Sequence, residues 1–191
     1  KNYGASLQCY ALLTTLKEIG VDAEIINYVP ERKWSRFGKL SRFVTPAYIA
    51  RLLYNIPYMR QLLQMSAAYR SFSSKYYIIE PSYTLNDNTI SDAIRKYDAV
   101  FFGSDQIWNT DITRGINKGF FLDFNTKGRK ISYAASIGIP KLEEKYEKQF
   151  VDVVNNIDYV SVREDALKSY INGLTQKEVL KVVDPTLLLD I

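Results

Sequence analysis

The segment from Asp98 to Asn109, DAVFFGSDQIWN, constrains this chain more than any other stretch. Its apolar run, Ala99 to Phe102, breaks abruptly into a turn crowded with hydrogen-bonding side chains. Such a run suits a strand covered on both faces. Gly103 and Ser104 are read as letting the backbone turn tightly at its carboxyl end. In open α/β sheets that end is where ligands bind, so Ser104, Asp105, Gln106, Trp108 and Asn109 become candidate site residues.

The pattern repeats along the chain. Leu7, Tyr10, Ala11, Leu13 and Leu16 recur with helical spacing, and Gly20 follows where a helix would stop. Residues 21–28 read as a strand around Ile25 and Ile26, closed by Pro30. Residues 86–96 read as a helix entering the 99–102 strand, residues 130–136 as another strand, and residues 140–157 as an amphipathic helix with Pro140 in its first turn. A strand at 159–162, a helix at 164–172 closed by Gly173, and a last strand at 179–183 complete the order. Strands alternating with helices imply a Rossmann-like parallel sheet with helices on both faces. No repeat or Gly/Ser linker divides the 191 residues, so the expectation is one domain. A doubly wound domain normally begins with a strand, whereas here a helix comes first, and no closing helix follows the last strand. Both ends are therefore read as cuts in a longer protein.

Composition narrows the class. With 47% hydrophobic and 24% charged residues the chain can bury a core. Its single cysteine, Cys9, excludes an internal disulfide, and the absence of histidine puts the usual zinc sites out of reach. A reducing, cytoplasmic setting fits, and no run of about 18 apolar residues is present to span a bilayer. The charge is uneven. Residues 31–75 hold nine Lys or Arg against one acid, Glu31, a balance of +8 within a chain of net +4. Trp34, Phe43, Tyr58, Leu62, Leu63, Tyr69 and Phe72 interleave with these cations, giving a basic helical insertion over about 31–80. It is either a helical excursion with a solvated basic face or a surface for an anionic neighbour such as a membrane. No nucleic-acid motif accompanies it.

Three further strand ends resemble the first. Residues 131–138 finish on Ser136 and Gly138, small enough for a ligand to approach the backbone. The 160–164 run ends on Arg163 at a helix entrance, where a guanidinium fork and free amides suit a carboxylate or phosphate. Asp184 ends the last strand, beside Pro185, and Asn2, Tyr3 and Gly4 precede the first helix as a further wall. Each has a plainer reading: Arg163 paired with Glu164 or Asp165 on the surface, Asp184 as a turn acid, Trp108 as a core aromatic. Their common position argues for a site. No nucleophile with a paired base can be assembled, since Cys9 has no histidine to activate it. Asp105, Glu164 and Asp184 remain as acid or base candidates.

Taken in order, residues 2–12 (NYGASLQCYAL), 103–109 (GSDQIWN), 120–124 (FFLDF), 132–136 (SYAAS), 161–164 (SVRE) and 184–189 (DPTLLL) resemble the polysaccharide pyruvyl transferase family across the whole chain. The resemblance implies a GT-B-like two-domain enzyme, of which this chain would be the amino-terminal half, with the catalytic second domain absent. It implies transfer of the pyruvyl group of phosphoenolpyruvate onto two hydroxyls of a sugar in a cell-wall or capsule polymer, sometimes on a lipid carrier. The product is a cyclic ketal with release of phosphate, with no cofactor and no metal. Family members usually carry an essential histidine in the second half, so this chain alone is expected to be inactive. By resemblance Arg163 holds the donor. Asp105 is the acid or base candidate, Ser104, Gln106 and Asn109 orient sugar hydroxyls, and Trp108 offers an apolar platform. The alternatives are a GT-B nucleotide-sugar glycosyltransferase and a non-catalytic binding module of the same fold.

Overall fold

The computed structural model describes residues 3–30, 54, 56–77, 79–113 and 115–190, the side chains of 79–83 excepted. Asn2 and residues 31–53, with most cations of the insertion, lie outside the described residues. The chain divides into two compact units, one of Lys1–Pro30 with Ile78–Ile191, the other of Glu31–Tyr77.

The larger unit runs α1 (Tyr3–Glu18), β1 (Ile25–Tyr28), then, beyond the smaller unit in sequence, β2 (Ile79–Leu85). In the smaller unit a 3-10 turn, Ile56–Tyr58, leads into the helix α2 (Met59–Tyr76). The larger unit continues with α3 (Ile90–Ala93), β3 (Ala99–Phe102), α4 (Thr110–Thr113), β4 (Arg129–Ala135), α5 (Glu144–Asn155), β5 (Tyr159–Val162), α6 (Asp165–Leu174) and β6 (Val179–Lys181). All strand pairs are parallel: β1 with β2, and β3-β4-β5-β6 in sequence order. The chain is thus α/β with parallel sheets, and the four-stranded sheet brings the carboxyl ends of β3 to β6 to one edge.

Amphipathic spacing builds the core. Phe150, Val153 and Val154 share the buried face of α5, and Leu167 and Ile171 that of α6. Val100 and Phe102 alternate inward on β3. Trp108 is fully buried, stacked on Phe121 at 6.4 Å and edge-on to Phe150 at 5.4 Å. Burying three such rings is worth several kcal/mol on the order of 1.5–3 kcal/mol each.

Several boundaries differ from the sequence reading. The helix expected over 86–96 shrinks to α3 and a 3-10 turn, Ile94–Lys96. The Asn86 carboxamide oxygen accepts from the amides of Asn88 and Thr89, holding residues 87–89 in a turn instead. Pro140 stands outside α5, because Leu142 is buried in the core one residue ahead of its cap, Glu143. Gly173 lies inside the last turn of α6, which runs on to Leu174. β6 ends at Lys181. Strand β2 was not expected. Its Pro81 is tolerated at a bulge, where Ile26 faces Glu80 and Tyr28 faces Leu85.

Two glycines divide by surroundings. A Cβ on Gly128 would lie 2.3 Å from the Tyr97 carbonyl oxygen and 2.7 Å from that of Asp98, so the turn into β4 admits only glycine. A Cβ on Gly103 would meet no described residue beyond its chain neighbours within 4 Å, and its φ is not positive, so the turn after β3 does not depend on it. Gly128→Ala is expected to cost about 2–4 kcal/mol in urea unfolding and Gly103→Ala less than about 1 kcal/mol. Equal costs would contradict this assignment.

Candidate functional site

At the carboxyl edge of the four-stranded sheet the chain converges on one carboxylate. After β6, Pro185 cannot continue a strand ladder, and a 3-10 turn forms over Pro185–Leu188. Asp184 caps that turn, its Oδ1 accepting from the Thr186 amide at 3.0 Å and hydroxyl at 2.7 Å. Helix α1 packs on the same turn, and Gln8 donates through Nε2 to Asp184 Oδ2 at 2.6 Å. Ser104, just beyond β3, donates to Oδ2 at 3.3 Å, and Arg163, just beyond β5, donates through Nη1 at 2.9 Å. Five donors from four segments therefore meet on Asp184. Burial works against its charge, but the bonds from Thr186, Arg163 and Gln8 prevail and hold it below the usual carboxylate range.

Arg163 owes its position to an irregularity one strand away. The β4–β5 register shifts between Ser132 and Ala135, and Ala134 adopts φ +52° inside a strand. The side chains of Ser132 and Ser161 fill the gap. The Ser161 hydroxyl donates to the Ser132 carbonyl at 2.8 Å and accepts from the Ala134 amide at 3.2 Å, and the Ser132 hydroxyl accepts from the Ser161 amide at 3.2 Å. Left-handed backbone at a non-glycine residue costs on the order of 1 kcal/mol or more and is retained where the surroundings over-determine it. The Arg163 amide then donates to the Ala135 carbonyl at 3.2 Å, turning the chain into α6.

The guanidinium is clamped between two carboxylates: Nε to Glu164 at 3.1 Å and Nη1 to Asp184 at 2.9 Å. They outweigh the opposing effect of burial and raise its pKa further. Its Nη2 has no partner among the described residues, and the side chain remains 31% exposed. Of the pairings left open by the sequence, Glu164 is realised, whereas Asp165 pairs with Lys181. Asp184 is both the turn acid of the plainer reading and a partner of Arg163. Glu164 Oε2 is buried without a hydrogen-bond partner among the described residues.

The remaining candidates divide. Asp105 is half-buried beside Ser104, with one oxygen accepting from the Gln106 amide at 2.8 Å. Gln106 accepts from the Asn109 carboxamide at 3.1 Å and lies against Gly138, whose added Cβ would meet it at 2.3 Å. The close approach to the backbone expected at Gly138 is thus made by Gln106 itself. Asn109 is buried, its oxygen accepting from the amide of Asp111 at 3.0 Å at the start of α4. Ser136 is buried, and its hydroxyl has no partner among the described residues. Trp108 has no exposed face, which corrects the expectation of an apolar platform: its ring is a core aromatic, and its indole N–H has no partner among the described residues. Tyr3 and Gly4 are exposed at the start of α1, about one turn before Gln8. Burial pushes the Cys9 thiol up to about 11, that of an unreactive thiol.

Sequence reasoning missed Gln8 and Tyr133. Burial and the negative charge of Asp184 both raise the Tyr133 phenol. Both residues lie inside the 2–12 and 132–136 motifs, yet a glutamine on a helix and a tyrosine inside a strand do not show by themselves that they meet Asp184, and only the tertiary packing brings them in. A groove of about 600 Å³ lies elsewhere, at the amino ends of β4 and β5, lined by Lys118, Gly128, Lys130 and Asp158 among others. It contains none of the candidates.

Because Asp184 is held low in the folded chain, its bonds stabilise above its unfolded pKa of about 3.9 and are lost as pH falls through the lower folded value. Asp184→Asn is expected to cost about 1–3 kcal/mol in urea unfolding at neutral pH, and its deficit should shrink at acid pH, where the wild type loses the same interaction. A deficit that does not change with pH would contradict the charged role.

Residues 2–190 match the family model described as polysaccharide pyruvyl transferase. No curated protein and no solved structure matches the chain.

Proposed function

The chain belongs to the polysaccharide pyruvyl transferase family, and from that premise we propose that it uses phosphoenolpyruvate as donor at the carboxyl ends of β3 to β6. The observation that carries this reading is the Arg163 guanidinium, held through Nε and Nη1 while its Nη2 has no partner among the described residues and the side chain stays partly open to solvent. A fixed planar fork with spare donors suits a ligand that carries both a carboxylate and a phosphate.

The chemistry sets the other roles. As one sugar hydroxyl adds to the enol carbon, the methylene carbon gains a proton and the hydroxyl loses one. A second hydroxyl then replaces phosphate at the same carbon, closing the ketal. Asp105 is our proposed acid or base, partly exposed next to the Ser104 turn. Gln106 and Asn109 already engage each other and the α4 start, so we assign them to the shape of the acceptor wall. Ser104 joins Gln8 in positioning Asp184, and through it Arg163. We further propose that this chain supplies one Rossmann-like half of a GT-B-like cleft, the second acid–base group coming from outside these 191 residues. The acceptor is a sugar of a cell-surface polysaccharide.

Local charge sharpens the test, because Glu164 and Asp184 both compete with an anionic donor for the one guanidinium. Isothermal calorimetry with phosphoenolpyruvate should show Arg163→Ala losing at least about tenfold in affinity, from charge-assisted bonds of about 1.5–3 kcal/mol. Glu164→Gln, which removes a competing charge while keeping the shape, should bind the donor more tightly. Binding of a nucleotide sugar with phosphoenolpyruvate silent would overturn the reading in favour of a glycosyltransferase.

A further inference from the structure

One residue at the end of β4 stands apart from its neighbours. Ser132, Ala134, Ala135, Ser136 and Ile137 are each buried, whereas Tyr133 among them is only half-buried. The register shift accounts for this. Ser132 faces Val160 and Ala135 faces Val162, so Tyr133 and Ala134 together oppose Ser161 alone. A bulge of this kind breaks the alternation of the two faces and re-aims a side chain. Ala134 takes up the distortion in its left-handed backbone and stays in the core, which leaves Tyr133 as the residue that reaches the surface.

It does so at the polar cluster. β4 lies between β3 and β5, which are therefore about 9–10 Å apart. Ser104, two residues past β3, and Arg163, one past β5, both donate to Asp184 Oδ2, so this oxygen stands across the exit of β4. Tyr133 is the first residue beyond the last β3–β4 pair, Phe102 with Ser132, at that same exit. The charge of Asp184 reaches its phenol. Asp184 nevertheless makes no bond to the hydroxyl, because Oδ1 already accepts twice from Thr186 and Oδ2 accepts from Gln8, Ser104 and Arg163. The Tyr133 hydroxyl thus has no hydrogen-bond partner among the described residues.

Chemistry narrows its use. A phenol kept protonated by burial and by a neighbouring carboxylate donates a hydrogen bond and does not act as a base. Arg163 offers Nη2 from the other side of the same exit, and a phosphate or carboxylate oxygen accepts from several donors at once. We propose that Tyr133 is a donor-binding residue, giving its O–H to an oxygen of the anion that Arg163 holds. The inference rests on the phosphoenolpyruvate reading of this site and adds a neutral donor to its one cation.

Isothermal calorimetry of phosphoenolpyruvate with the wild type, Arg163→Ala and Tyr133→Phe tests it. Tyr133→Phe should lose at least about fivefold in affinity, as expected for one hydrogen bond to an anion. Its urea midpoint should not move, because the ring remains and the hydroxyl has no partner to lose. NMR of isotope-labelled tyrosines gives a second readout in the unmodified chain, the Tyr133 signal being the one absent from Tyr133→Phe. Phosphoenolpyruvate should shift that signal in the wild type and not in Arg163→Ala, and in Asp184→Asn the phenol should titrate at lower pH. Donor affinity unchanged in Tyr133→Phe but lost in Arg163→Ala, or a Tyr133 signal that ignores the donor, would overturn this inference and leave the donor reading standing. A wild type that does not bind phosphoenolpyruvate would overturn both.

Discussion

Asp184 is the constraint on which the rest of the site depends. A carboxylate at the end of a parallel strand is surrounded by chain segments that share no sequence proximity, and here those of β3, β5 and α1 all donate to it. Each bond alone is worth about 1 kcal/mol, and those from charged donors more. Their joint effect is geometric. One atom, Oδ2, fixes the distances among Gln8, Ser104 and Arg163, so the edge of the sheet behaves as a single polar cluster rather than as independent loop tips. The proline that follows sets the cap geometry, since it starts the 3-10 turn whose hydroxyl and amide occupy the other carboxylate oxygen.

The bulge in β4 is the second half of that arrangement. A regular ladder through Ala135 would carry β5 on in register and aim the residue after Val162 along the strand. The left-handed Ala134, supported by the reciprocal serine pair, shifts the register and turns the backbone so that Arg163 leaves at the mouth of α6. Local strain is thus placed beside the residue assigned to the donor, and the serines that bear it are buried, where their bonds are not weakened by solvent.

How much of this was legible in the sequence follows from the range of the forces involved. Strands β3, β4 and β5 and helix α1 were readable because each combines apolar periodicity with a clear terminator. Strand β2 was not, because Pro81 and a polar interior hide its pairing with β1. The 86–96 helix misled because Asn86 competes for the backbone through its side chain, a contest that periodicity does not record. For the site, Arg163 and Asp184 were visible as strand-end residues, yet their mutual bond across 21 positions was not. Trp108 and Asn109 looked like ligand contacts because polar and aromatic residues after a strand suggest exposure. The loop instead folds inward, sending the ring into the core and turning the carboxamide to helix capping. Gln8 lay inside the 2–12 motif, but its bond to Asp184 depends on the packing of α1 on the last turn.

A double-mutant cycle joining Arg163→Ala and Asp184→Asn, read on urea unfolding free energy at neutral pH, tests the organising role of Asp184 most directly. The structure predicts a coupling of at least about 1 kcal/mol, because each variant removes the same charge-assisted bond in a partly buried setting. Additivity within about 0.3–0.5 kcal/mol would mean that the two side chains act independently, and would contradict a strand-end cluster built around one carboxylate.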